Sequence, residues 1–444
     1  VTYPDETTRQ YEYADALNGW NLTGIFDETT GRFSTYTYNA TGRMTSESHA
    51  GGANASTFSY GGAVGQPTTV TDPLGATTQF GMIASNGAFR SGSRSQACLT
   101  CGPWANSTYD ANGNPATRTD YNGVQTVYTF DSTRNLETSR TEANGTPRAR
   151  TVTTQWHATL RLPIEINEPG RRTNFSYDGA GKLLTQTVTD TATTQSRTWT
   201  LTYTGLGQLL TVDGPRTDVS DITTYTYYAC AIGNSCGQLY TVTDAANNVT
   251  TFGAYNAHGL PLTITDPNGT QITVTYDDRQ RLTSRTIAGE TTALEYWQTG
   301  LLKKVTNPDG SFISYGYDAA HRLTSVTDTV GNTITFTLNG AGQRLTEEAR
   351  DPANTLTFRR THVYNTLGRL VEENGAAGQT TSFVYDADGN KTEVEDPMGR
   401  VTSGVYDELD RLATIVDPAL QLTEFDYDGQ ENLLSIAGPR SLQT

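Results

Sequence analysis

The sequence predicts an all-β protein in which tandem β-hairpins join edge to edge into one continuous, coiled antiparallel sheet. Two observations carry that expectation: a short unit recurs along the chain, and apolar and hydroxyl side chains alternate with period two between recurring turns. Tyr-Asp dipeptides mark the unit at Tyr276-Asp277, Tyr317-Asp318, Tyr385-Asp386, Tyr406-Asp407 and Tyr427-Asp428, the last three 21 residues apart. Degenerate copies fill the gaps at Tyr255-Asn256, Tyr296-Trp297, Leu338-Asn339 and Tyr364-Asn365. Towards the N-terminus the register passes through Tyr228, Tyr203, Tyr177, Trp156, Phe130, Tyr109, Phe80, Tyr60, Tyr38 and Tyr13. Residues 1–444 then read as a single array of about nineteen hairpin units.

Each element of the unit follows from local chemistry. The first strand alternates, as in Ile272, Val274 and Tyr276 against Gln271, Thr273 and Thr275, or Ile334, Phe336 and Leu338 against Thr333, Thr335 and Thr337. Successive side chains of a strand point to opposite faces, so this pattern separates an apolar face from a hydroxyl-rich one. A turn such as Ala387-Asp388-Gly389-Asn390 follows the Tyr-Asp pair. The second strand opens on Arg-Leu, five and six residues after the aromatic, at Arg281-Leu282, Arg322-Leu323, Arg369-Leu370 and Arg411-Leu412, with Lys182-Leu183 close to the pattern. A second turn closes the unit as Asp-Pro-x-Gly or its Asn variant, at Asp266 to Gly269, Asn307 to Gly310 and Asp396 to Gly399. Proline presets φ there, the Asx side chain bonds the backbone ahead, and glycine accepts the left-handed position that ends the turn. No stretch carries a capped 3.6-residue apolar stripe, so helices should be few and short.

A lone hairpin is marginal in water, so its apolar face and free edge must be met by the next hairpin. Strand twist makes the resulting sheet coil, and at about 4.8 Å per strand the array has a contour of roughly 180 Å, enough for one or two coils. Both ends fall inside the repeat pattern, so the expectation is a piece of a longer chain.

Composition excludes several functions. Of 444 residues 35% are hydrophobic and 18% charged, with 43 Gly and 24 Tyr, which suits strands and turns and not disorder. A net charge of -16 with scattered basic residues argues against a nucleic-acid partner. No apolar run approaches the roughly 20 residues of a membrane-spanning helix.

With Tyr-Asp, Arg-Leu and Asp-Pro-x-Gly in phase, the chain resembles the Rhs and YD-repeat family. That family includes bacterial Rhs polymorphic toxins, wall-associated repeat proteins, cocoon subunits of insecticidal toxin complexes and the teneurin barrel. The resemblance implies a spiral, hollow β-shell, exported or displayed at the cell surface, that encloses or displays a C-terminal toxin. No distinct toxin domain or self-cleaving core ending is visible in this sequence, so those activities are carried to none of its residues. What remains is a structural wall, with the rest of its own polypeptide, toxin cargo included, as first partner. The alternative is an extracellular filament or adhesin module that binds glycans, cell-surface targets or neighbouring chains, its open strand edges favouring end-to-end self-association.

Individual residues carry little chemistry. Cys98 with Cys101 and Cys230 with Cys236 form two close pairs in an otherwise cysteine-free chain. In an exported protein two local disulfides are expected, with a shared zinc site or free thiols as alternatives. Asp110 to Asn114 and Asp386 to Asn390 open like calcium loops, but Tyr121 and Pro397 stand where the twelfth-position glutamate should be, so hairpin turns are the better reading. His49, His157, His258, His321 and His362 show no metal or triad spacing. The repeating aspartates could be imagined as glycosidase carboxylates, yet a residue that recurs in every unit serves a turn and not a unique active site. No enzyme activity, cofactor or metal is therefore expected. The recurring tyrosines are read as packing residues, each ring stacking on the next one unit along, with a sugar-binding aromatic stripe as the rival. Sequons such as Asn248-Val249-Thr250 are expected by chance in a Thr-rich chain.

Overall fold

The structure, a computed structural model, describes residues 1–61, 66–97, 104–230 and 233–438. Among the described residues there are 38 strands in one antiparallel sheet, and the sole helical element there is a 3-10 turn at Ala50–Gly52. Among the described residues no helix is long and apolar enough to cross a membrane.

The unit is built as the sequence implies. Strand Gln271–Tyr276 pairs with Leu282–Ile287, Thr275 facing Ser284 and Tyr276 facing Leu282, with a register shift between the two positions. That shift is a β-bulge: the five-residue connection needs one left-handed residue, here Gln280 at φ 63°. The same bulge stands before Tyr177, Tyr203, Tyr385, Tyr406 and Tyr427. Asp-Pro-x-Gly turns connect the units, as where Thr265 faces Gln271 across Asp266 to Thr270, with Gly269 at φ 82°.

Burial follows the alternation. Val274 and Phe336 are buried, while Thr273, Thr275, Thr335 and Thr337 are exposed. Hydroxyls on the Thr face pair across strands, with Thr275 Oγ1 2.6 Å from Ser284 Oγ and Thr337 Oγ1 2.7 Å from Thr346 Oγ1. Such cross-strand pairs contribute a few tenths of a kcal/mol to about 1 kcal/mol each, which gives the recurring threonine a structural reason. Few side chains are fully buried, so cohesion comes mainly from ladders between neighbours and not from a deep core.

Two compact units are distinguished. One comprises Thr8–Val152 with the segment from Tyr315 onward; the other comprises Thr2–Thr7 and Thr153–Ser314. Within each, turns far apart in sequence meet. In the first, His321 Nε2 lies 3.0 Å from Asp27 Oδ2, the amides of Tyr121 and Asn122 both donate to Asp388 at 2.8 Å, and Arg150 Nη1 lies 2.6 Å from Glu431. In the second, Arg279 Nε lies 2.7 Å from Asp5 and its guanidinium sits 4.0 Å from the centre of the Tyr3 ring. In the first unit the side-chain and main-chain partners linked this way span 264 to 294 residues, so the chain returns onto itself there.

Candidate functional site

The residues that define the repeat act on one another and on the next repeat. Each aspartate follows the bulged tyrosine and caps its own turn. Asp277 Oδ1 accepts from the amides of Arg279 and Arg281 at 2.9 and 3.0 Å, Asp318 from Ala320 and Arg322, Asp407 from Leu409 and Arg411, and Asp428 from Gln430 and Asn432. Asp386 does the same with Gly389 and Asn390. This is the Asx-turn expected of a short side chain that reaches its own backbone.

The second carboxylate oxygen holds the Arg of Arg-Leu four residues on. Arg281 Nε lies 2.6 Å from Asp277, Arg322 Nε 2.8 Å from Asp318, and Arg411 Nε and Nη2 lie 2.9 and 2.7 Å from Asp407. Burial pushes the Asp407 carboxyl up, but the Arg411 guanidinium and the two amides outweigh it, so its pKa is lowered. Asp318 is lowered against burial in the same way by the amide and guanidinium of Arg322. At Asp428 the hydrogen bond from the Asn432 side chain is the first cause of lowering.

The arginine then reaches into the following unit and covers its tyrosine. Arg281 sits 4.8 Å from the Tyr296 ring centre, Arg369 5.8 Å from that of Tyr385, and Arg411 4.5 Å from that of Tyr427. The tyrosine hydroxyl in turn donates back to the first residue of the preceding unit's second strand: Tyr296 to Leu282 at 2.9 Å, Tyr385 to Leu370 at 2.8 Å, Tyr406 to Lys391 at 3.1 Å and Tyr427 to Leu412 at 2.9 Å. Tyr276 donates to Pro261 at 3.2 Å. Burial raises the phenol pKa of Tyr317 and of Tyr385, the latter offset in part by Arg369.

Two expectations are corrected by this geometry. The tyrosines do not stack ring on ring along Tyr385, Tyr406 and Tyr427, because successive repeats lie two strands, about 10 Å, apart. An arginine fills the interval for Tyr385 and Tyr427. The repeat position assigned to Tyr228 belongs to Tyr227, which faces Leu239 after the bulge and donates to Leu209, while Tyr228 turns its hydroxyl to Phe252.

Other candidates are placed as follows. Cys98 and Cys101 lie outside the described residues, and Cys230 and Cys236 are joined to each other in the loop after Thr223–Tyr227. Asp110 and Asp386 both cap turns, and among the described residues no group of three His, Cys, Asp or Glu side chains could hold a metal ion. His49 and His321, remote in sequence, both pack against Phe33 with ring centres 4.6 Å from it. Sequence reasoning missed that pairing, the Asp388 contact with Tyr121, and the Arg-over-Tyr arrangement. Only the last had a signal, the fixed five-residue spacing of Arg from the aromatic.

What these side chains do is bind repeat to repeat. The RHS Repeat family profile matches residues 17–53, 109–147, 255–292, 296–333, 319–356, 364–401 and 385–422, together more than half of the chain. The chain belongs to the RHS-repeat family. No curated protein matches the chain. Solved structures similar to this RHS-repeat chain include TcdB2-TccC3-TEV, with a TM-score of 0.54 at 14% identity over 99% of this chain and 26% of that one. TcdB2-TccC3-Cdc42 gives 0.53 at 13% over 98% and 27%. TcdB2-TccC3 without its hypervariable C-terminal region gives 0.51 at 13% over 99% and 26%. At such identity the likeness is one of fold, and the chain spans about a quarter of the length of those chains.

Proposed function

We propose that this chain is a wall segment of an exported RHS-repeat shell, working as one array, which encloses or displays a toxin carried elsewhere in the polypeptide. The observation that carries the proposal is where the repeat residues spend their bonding capacity. Tyr427, Asp407 and Arg411 bond to their own turn and to the neighbouring repeat, an arrangement that suits cohesion of a wall and not turnover of a substrate. Contacts such as Tyr121 with Asp388 support coiling over a linear run of hairpins. Likeness of fold to the TcdB2-TccC3 structures supports the same reading. Export to an oxidising compartment suits the bonded Cys230 and Cys236.

Electron microscopy of the protein encoded by the complete reading frame tests this, combined with protease digestion of the intact particle. Closed particles whose C-terminal segment resists protease until the wall is denatured are expected. Continuous fibres with every segment equally digestible would replace the shell by the filament or adhesin reading, with glycans or neighbouring chains as partners. Release of reducing sugar from a glycan panel would overturn the non-catalytic role.

A further inference from the structure

A cavity of about 540 Å³ opens where strands Pro115–Thr119, Gln125–Asp131 and Leu136–Glu142 and their connections face the turn Glu408–Asp410. Both sides belong to one compact unit. The size is that of a small-molecule pocket. Its wall is strongly acidic: Asp120, Glu137, Glu142, Glu408, Asp410 and Glu431 line it, against the guanidinium groups of Arg118 and Arg140.

Those two cations are already engaged. Arg140 bonds Glu142 at 2.7 Å and Glu137 at 3.2 Å, and Arg118 lies over the rings of Trp104 and Tyr128, 5.6 and 5.7 Å from their centres. Glu431 is held by Arg150 at 2.6 Å. Asp120, Glu408 and Asp410 have no ion pair among the described residues; Asp120 accepts from the backbone amides of Val124 and Asn122, and Asp410 from the Asn390 side chain. Unmatched carboxylates gathered around one space repel one another and attract a cation. Burial, followed by the charges of Asp388 and Asp410, holds the Asp120 carboxyl above its ordinary range.

The charge excludes an anionic ligand, and the spacing excludes a bare metal ion, since no three acidic or histidine side chains among the described residues converge on one point. A wide acidic cavity whose carboxylates are spread apart fits a larger cation, because separated positive groups on one molecule can each meet a carboxylate that a single ion cannot reach together. We propose that this cavity is a binding site for an organic cation bearing two or more alkylammonium or guanidinium groups, seated between Asp120 on one side and Glu408 and Asp410 on the other. Such a ligand would tie together turns far apart in the chain. The inference is independent of whether the wall encloses cargo.

Isothermal titration calorimetry of the whole chain at constant ionic strength tests the site, with spermidine as a free polyamine and an end-capped trilysine peptide as a polypeptide source. Saturable binding of one molecule is expected for at least one probe; the tighter one identifies the source. The Asp120→Asn/Asp410→Asn variant should weaken it at least tenfold. Asparagine keeps the turn acceptor at 120 and tolerates the left-handed backbone at 410, where φ is 57°. Should that variant not melt cooperatively, Glu408→Gln serves in its place, with a severalfold loss expected. No saturable heat with either probe, unchanged affinity in the variant, or equal competition by magnesium ions at matched charge would overturn the proposal.

Discussion

Arg411 concentrates the chemistry of the repeat in one guanidinium. It forks onto the Asp407 carboxylate, covers the Tyr427 ring and approaches the Asp428 carbonyl at 3.5 Å. Its side chain is only 13% exposed and that of Asp407 5%. Asp407→Ala leaves a largely buried cation without its partner and is expected to cost about 3 kcal/mol. Tyr427→Phe removes one neutral hydrogen bond and should cost about 1 kcal/mol. Urea denaturation ranks the two; a greater loss from the tyrosine change would contradict the assigned roles. The spacing of Tyr, Asp and Arg was legible in the sequence. Their partners were less so, because a ring contact was assumed where strand spacing places an arginine.

At the scale of the hairpin, the turn decides register, and most turns could be located from Asp, Pro and Gly alone. The degenerate ones are informative. Asp417-Pro418-Ala419-Leu420 puts a leucine at φ 63° where Asp266-Pro267-Asn268-Gly269 has glycine at φ 82°. Leu420 is 85% exposed, so it gains no packing there. An L-residue other than Asn or Asp pays roughly 1–2 kcal/mol to sit in that region, partly offset by the unfolded-state freedom of glycine. Leu420→Gly is therefore expected to stabilise the protein by about 0.5–1 kcal/mol, measured as a rise in denaturation midpoint. A fall would mean that the turn is not held in this conformation. The slip between Tyr227 and Tyr228 has a related origin: in Thr226-Tyr227-Tyr228 two adjacent aromatics fit the period, and only the bulge before Tyr227 shows which of them faces Leu239.

For the whole chain, the continuous sheet was legible because each strand needs its sequence neighbour. Contacts across 264 to 294 residues were not, since they depend on small strand twists summed over many repeats and leave no local signature. Asp388 illustrates this. Its carboxylate receives the amides of Tyr121 and Asn122, so Asp388→Ala should speed hydrogen exchange at those two amides at least tenfold and leave strand amides unchanged. Acid acts on the repeats together. Asp318, Asp386, Asp407 and Asp428 all have carboxyls lowered from the ordinary value of 3.8. A lowered folded-state pKa gives stability that is present above the unfolded value and lost as pH falls through the folded one. The melting temperature should therefore drop steeply as pH falls below about 4, with Asp120 and Asp388, both raised chiefly by burial, opposing the drop slightly.

Amide hydrogen exchange along the full chain tests edge-to-edge pairing most directly. Protection should recur with every strand, through Gln271–Tyr276, Leu282–Ile287, Val401–Tyr406 and Leu412–Val416 alike, and lapse at each turn. Protection confined to a few blocks separated by long exchanging stretches would contradict a sheet in which every hairpin is held by the next.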